Sequence, residues 1–343
     1  MITNKPQKKT YGAGANALRF AIDTKKISVG PGLPYFISRL TVRHYPTQIS
    51  LAVLLMIALA AVVPCRAQEY SAGDWISMPA GTNVQMVYYD FASRSQLNNT
   101  TAGDVPHSHL NSDIGISRFM HFDKFLGHTV AIQGILPFGS LNDARIDGQK
   151  LSNASGVGDP IIAGGMWLLN DTKHDRYLSF VNFVSVPIGS YDKHSALNLG
   201  SHRWQNALEW DYTQIFSKKV MVDLAVSDLH AWDNHEAGTG NQTLTQNETI
   251  STYSWIGYNV APLLKRPTLP AWISVGYSGN YNGVQRLDGV RTGAAAGAQT
   301  IKMGYSQFIT PKWQGLVQVS HDVDTRGQFK QKVGVFVRIA RVF

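Results

Sequence analysis

Several things are scarce in this sequence of 343 residues, and each scarcity closes off a class of protein. Cysteine occurs once, as Cys65, which excludes a disulfide framework and an all-cysteine zinc site, since both need several thiols. Charged residues are only 16% of the chain, against about 25% in ordinary soluble proteins. No apolar run reaches the 18 or so residues of a membrane-spanning helix. Acidic residues are nearly missing from the first fifth of the chain. There Lys5, Lys8, Lys9, Arg19, Lys25, Lys26, Arg39, Arg43 and Arg66 stand against Asp23 alone. That imbalance produces the whole net charge of +8, and the remainder of the chain is neutral. A basic body built to bind nucleic acid is therefore excluded, and no nucleic-acid partner is expected.

What is present is aromatic and glycine-rich: 14 Tyr, 14 Phe, 8 Trp and 31 Gly. Such a body fits a β-rich protein and does not fit a disordered one. Residues 51–63 read LAVLLMIALAAVV, an uncharged apolar stretch too short to span a bilayer and of the length of a signal-peptide core. Arg39, Arg43 and His44 precede it as a basic flank. Pro64 ends it, and Cys65-Arg66-Ala67 offers small residues for cleavage after Ala67. The expected division is a leader over residues 1–67 and a mature body over 68–343. Within the leader, the signal peptide occupies about 40–67, preceded by an extended or mis-assigned N-terminus.

The body contains about twelve stretches of 10 to 14 residues rich in Val, Ile, Tyr, Trp and Phe, with partial alternation of apolar and polar positions. They fall at 80–92, 112–122, 127–139, 158–170, 176–189, 203–216, 219–232, 249–264, 271–281, 298–310, 312–324 and 331–343. Short connections (123–126, 171–175, 217–218, around 265–267, and Pro311) alternate with long polar ones (93–111, 140–157, 190–202, 233–248, 283–297). The connection at 325–330 is intermediate. Sorting of loops by length is the pattern of an outer-membrane barrel, with short periplasmic turns and long external loops. A soluble sandwich has no reason to sort them. The fold class expected is all-β: a transmembrane antiparallel β-barrel of about 12 strands, preceded by a signal peptide and located in the bacterial outer membrane. Outer-membrane lipid is then one partner. The barrel-assembly machinery is another, through the C-terminal strand that ends on Phe343.

A charge on the lipid face of such a barrel costs about 2–4 kcal/mol at the midplane for Arg or Lys. Arg118, Glu209, Asp211, Asp223, Lys302, Asp322 and Arg338 lie within strands and are therefore expected to face the lumen, as a mixed set that makes a polar, weakly selective interior. The alternative is that they pair among themselves and plug the barrel. Trp167, Trp204, Trp210, Trp232, Trp255, Trp272 and Trp313 are expected in interfacial girdles, any inward-facing one being a stacking platform for an aromatic solute.

Ser155-Gly156-Val157-Gly158-Asp159-Pro160, running into Ile161-Ile162-Ala163-Gly164-Gly165-Met166, resembles the SGxGDP segment of an outer-membrane family named for the MetA pathway of phenol degradation. Val186-Pro187-Ile188-Gly189-Ser190-Tyr191 resembles that family's P-x-G-x-Y stretch. The resemblance implies a transporter-like barrel that admits small, often aromatic or hydrophobic, solutes, and it carries no catalytic residue over. Physically, Gly156, Gly158, Asp159 and Pro160 read as a loop-to-strand corner, with Pro at a strand start where its missing N–H is harmless. A phosphate loop is excluded, because no Lys follows.

Chemistry is otherwise thin. His107 and His109 would need a third ligand such as His194, His202 or His235 to hold a metal. Ser227-Asp228-Leu229-His230 and Ser320-His321-Asp322 hold the residue types of a hydrolase, but strand neighbours point to opposite faces. The function expected is passive uptake of small molecules through a channel, with no cofactor and no enzymatic activity. The alternatives are a barrel enzyme acting on lipid or ester bonds and a closed structural barrel.

Overall fold

The computed structural model describes residues 70–99, 103–265, 268–281, 283–292 and 295–343. The leader assigned to 1–67 lies outside the described residues. Twelve strands make the barrel: β1 (Asn83–Asn99), β2 (His109–Phe125), β3 (His128–Ile146), β4 (Ile161–Asp171), β5 (Arg176–Ser185), β6 (Gln205–Phe216), β7 (Val220–Ala231), β8 (Thr249–Asn259), β9 (Ala271–Tyr281), β10 (Gly297–Thr310), β11 (Trp313–Arg326) and β12 (Gln328–Val342). Each pairs antiparallel with the next, and β12 returns to β1 from Val84↔Val342 to Asn98↔Gln328, closing the sheet. No helix occurs among the described residues. Closure leaves no unpaired edge, the condition for a sheet to stand in hydrocarbon.

Alternation sorts the side chains. On β10, Ala298, Thr300 and Lys302 are buried inside, while Ile301, Met303 and Tyr305 are exposed outside. On β6, Ala207, Glu209 and Asp211 are inside, while Leu208 and Trp210 are outside. The outer wall is thus a continuous apolar surface that includes Ile132, Ile162, Leu224, Ile256, Val275, Val317 and Ile339.

The strand ends follow local chemistry. The stretch expected to continue from 249 to 264 stops at Asn259, where Asn259 Oδ1 accepts from Ala261 N at 3.0 Å and Pro262 follows. The stretch expected to reach 189 stops at Ser185, just before Val186-Pro187. The connection expected at 325–330 shrinks to Gly327, at φ +60, between β11 and β12. At the long-loop end, Asn234–Ala237, Gln242–Gln246, Gln285–Leu287 and Val290–Arg291 form a separate small sheet around Ala237, Leu244 and Leu287.

Because Val275 stands on the apolar outer wall near the middle of β9, Val275→Arg should cost about 2–4 kcal/mol in a bilayer. Urea unfolding of the protein in lipid vesicles measures it, with Val275→Leu as the near-neutral control.

Candidate functional site: an occupied lumen

The inside of the barrel is not empty of chain. Residues 70–78, with the sequence YSAGDWISM, enter from the short-turn end and lie within the lumen. A tight turn gives the segment its shape: Asp74 N donates to Ser71 O at 3.1 Å, and Asp74 Oδ2 accepts from Ser71 N at 3.1 Å. No strand ladder holds it. Its anchors are side-chain contacts to the wall.

Four anchors matter. Asp223 on β7 accepts from Tyr70 Oη at 2.5 Å, from Gly73 N at 2.6 Å and from Thr213 Oγ1 at 2.7 Å. Arg338 on β12 pairs with Asp74, and its other arm donates to Gln314 Oε1 at 3.0 Å. Glu209 on β6 accepts from Trp75 Nε1 at 3.0 Å. Trp167 on β4 donates from Nε1 to the Trp75 carbonyl at 2.8 Å. Trp75, 2% exposed, is then wedged among aromatic rings: Trp167 at 6.1 Å and Phe183 at 6.2 Å between centroids, with the Arg118 guanidinium 5.6 Å from its own ring.

All seven strand charges named from the sequence are buried on inner faces. Arg118, Glu209, Asp223 and Arg338 meet around residues 70–78. Arg118 also donates from Nε to Gln133 Oε1 at 2.8 Å. Asp211 lies beside them and accepts from Thr213 Oγ1 at 3.3 Å. Lys302 sits elsewhere, over the Tyr253 ring at 5.6 Å. Asp322 is nearer the long loops, accepting from Thr300 Oγ1 at 2.7 Å and Gln331 N at 2.8 Å. Of these charges, Asp223, Glu209 and Arg338 bond to the inserted segment, and Asp322 and Asp223 also accept from neutral donors.

The expectation of a uniformly polar interior needs correction. Ile114, Ile116, Met120, Phe122, Ile135, Val181 and Phe183 also point inward, from β2, β3 and β5. They pack, directly or through one another, with Tyr70, Trp75, Ile76 and Met78 in one core. One side of the lumen is therefore apolar and the opposite side, on β6, β7, β10 and β11, is polar. The girdle reading is corrected for two residues: Trp167 and Trp255 face inward and are buried, whereas Trp204, Trp210, Trp232 and Trp313 are exposed.

The SGxGDP corner proves to be a latch for the longest loop. Asp159 Oδ1 accepts from Gly189 N at 2.9 Å; Asp159 Oδ2 accepts from Ser201 N at 2.7 Å and Ser201 Oγ at 2.6 Å. The chain passes so close here that a Cβ on Gly189 would stand 2.6 Å from the Gly158 carbonyl carbon, and one on Gly200 2.7 Å from that of Gly189. Gly156, at φ +144, takes a conformation that side chains disfavour and faces Ser190, whose N donates to Val157 O at 2.7 Å. Pro160 precedes β4, and its carbonyl accepts from Val186 N at 2.8 Å. Beside the latch, burial pushes Arg203 down to about 10.

The histidines do not gather. No group of three or more metal-ligating side chains occurs among the described residues. His109 faces Asp143 at 3.3 Å, and His202 faces Glu236 at 3.6 Å and stacks on Tyr191. Ser227 is buried inside while Asp228 and His230 are exposed outside, and His321 is exposed and bonded to Lys332 O.

Comparison with known proteins now bears on this geometry. The profile of the family described as "Putative MetA-pathway of phenol degradation" matches residues 94–339. The chain belongs to that family. Among solved structures it is similar to the COG4313 outer membrane channel from Pseudomonas putida F1, at 25% identity and a TM-score of 0.74, over 80% of this chain and 100% of that one. The β domain of the Bordetella autotransporter BrkA follows at 9% identity and a TM-score of 0.49, over 77% of this chain and 100% of that one. The KdgM porin in complex with oligogalacturonate matches at 8% and 0.38, over 76% and 99%. Comparison with curated proteins gives no match. The likeness to the COG4313 channel gives this chain the fold of an outer-membrane channel.

Replacing the latch carboxylate tests its role. Asp159→Ala should raise hydrogen exchange at the Gly189 and Ser201 amides by at least tenfold, since a hydrogen bond to a charged group is worth about 1.5–3 kcal/mol. Amides of the β6–β7 ladder should exchange as before.

Proposed function

We propose that the protein is an outer-membrane channel for passive uptake of small, uncharged or weakly polar solutes of the phenol class, closed in this conformation by residues 70–78. The observation that carries the reading is the manner in which the lumen is filled. A closed barrel has been given a separable piece of chain, held by side-chain hydrogen bonds and by packing against inward apolar residues rather than by a strand ladder. A purely structural barrel has no need of an insert whose removal would leave a passage through the wall.

The lateral division of the lumen supports the solute class. A path with an apolar side and a polar side suits a molecule with one face of each kind, and a bare polar pore would favour ions and sugars. The family description points the same way. Arg118, Glu209, Asp211, Asp223, Lys302, Asp322 and Arg338 line the path in this reading, with no large excess of either sign. The apolar outer wall contacts outer-membrane lipid, the short turns face the periplasm and the long loops face outside. The signal peptide at about 40–67 directs export through the periplasm. The C-terminal strand, closing on β1 with Phe343 N donating to Asn83 O at 2.9 Å, is the segment offered to the assembly machinery. Passage is non-enzymatic.

Planar-bilayer recording tests this. The unmodified protein should give small, infrequent conductance steps. Asp74→Ala combined with Asp223→Ala cuts the links to β12 and β7 and should raise the open probability or the step size severalfold. A double variant that folds, by its heat-dependent gel mobility, and conducts no better than the unmodified protein would remove the gated-channel reading.

A further inference from the structure

We infer that the slot filled by Trp75 is itself the aromatic-solute site, and that the indole is a built-in competitor for it. This deepens the channel reading and rests on it for the consequence in transport, but not for the existence of the site.

The slot makes specific chemical demands. Trp167 meets the Trp75 ring at a tilt of 56° and Phe183 nearly edge-on at 68°, so the space between them accepts a flat aromatic ring. Phe122, 5.5 Å from Trp167, backs the wall. Arg118 lies 5.6 Å from the Trp75 ring centre, which rewards an electron-rich ring such as a phenol or an indole. Glu209 Oε1 accepts one hydrogen bond from the indole N–H at 3.0 Å. An occupant must therefore be planar, uncharged and equipped with one N–H or O–H donor at its edge. A ring without a donor would leave the buried carboxylate unpaired, and a ring bearing a carboxylate would set two negative charges against each other.

A second observation points to a guest. Polar atoms around the slot are left without a protein partner: Ser179 Oγ and Gln133 Nε2 are buried and unbonded. Ser179 sits in register between Trp167 on β4 and Asp211 on β6, and Gln133 carries Arg118. Inserting Trp75 thus satisfies Glu209 and leaves neighbouring polar atoms unsatisfied. A smaller phenolic ring leaves room for these atoms to bond to solute or water. Because the solute and the indole require the same space, each excludes the other. Arrival of solute then favours withdrawal of residues 70–78, which have no strand pairing to lose. The channel is opened by what it carries.

Isothermal titration of the full-length protein in detergent micelles tests the slot without recourse to conductance. Trp75→Ala should bind indole and phenol at least tenfold more tightly than the unmodified protein, in which the indole fills the space. It should bind 1-methylindole about tenfold more weakly than indole, and Glu209→Leu added to Trp75→Ala should abolish that preference. A folded Trp75→Ala protein that binds no indole, or binds 1-methylindole equally well, overturns the proposal. Should Trp75→Ala fail to fold, a Cys65→Ser, Ala72→Cys chain with Trp75 intact decides it. Ala72 packs against the interior, so millimolar phenol should speed maleimide labelling of that cysteine severalfold, while cyclohexanol should not. Equal rates with and without phenol overturn the proposal. Binding without bilayer conductance would leave the slot standing and sink the channel, and conductance without binding would do the reverse.

Discussion

Everything in this molecule depends on the pairing of β12 with β1. An open twelve-strand sheet would present two rows of unsatisfied N–H and C=O groups, which hydrocarbon cannot solvate. Closing the ladder from Val84↔Val342 to Asn98↔Gln328 satisfies them, and it also fixes which side of every strand is inside. After that, a position's parity alone decides whether its side chain meets lipid or lumen. Glu209 and Asp211 can alternate with Leu208 and Trp210 only because closure gives them an interior to face.

Closure also creates a difficulty. A barrel of this size encloses more space than its inward side chains can fill, and the inward charges cost several kcal/mol each if buried without partners. Residues 70–78 resolve both problems. Trp75 and Tyr70 supply volume, Asp74 balances Arg338, and Gly73 offers a backbone N–H to Asp223 where a side chain would add nothing. The same groups that stabilise the insert are spread over β4, β6, β7 and β12, so no single contact decides whether it stays. On the proposed channel reading, that distribution suits a segment that is secure yet removable.

How legible this was in the sequence differs by element. Strand number, order and sidedness could be read, because period-two alternation and loop length are properties of each strand with its own neighbours. Strand ends were less clear where Pro160, Pro187 and Pro262 end the ladder inside stretches that remain apolar. The inserted segment could not be read at all. YSAGDWISM has no periodicity, and its partners, Glu209, Asp223 and Arg338, lie 134 to 264 residues away along the chain. The inward Trp167 and Trp255 were assigned to the girdle for a related reason: an aromatic residue suits both a membrane interface and an interior aromatic cluster, and composition does not separate the two. The latch was visible only as a motif. Asp159 gave no sign of where its donors lie, since Gly189 and Ser201 become adjacent to it only when residues 186–201 fold back over the strand end.

The two halves of the lumen, finally, explain each other. Were the interior polar all round, the insert would be held by hydrogen bonds that water could replace one for one, and its net stabilisation would be small. Were it apolar all round, the insert would be buried as a permanent core. Residues 70–78 pack on the apolar side chains of β2 to β5, while Glu209, Asp223 and Arg338 set their register against the wall. A small amphiphilic solute competes with both kinds of contact at once, and an ion or a hydrocarbon competes with only one. On the proposed channel reading, selectivity resides less in the width of the pore than in what is able to take the insert's place.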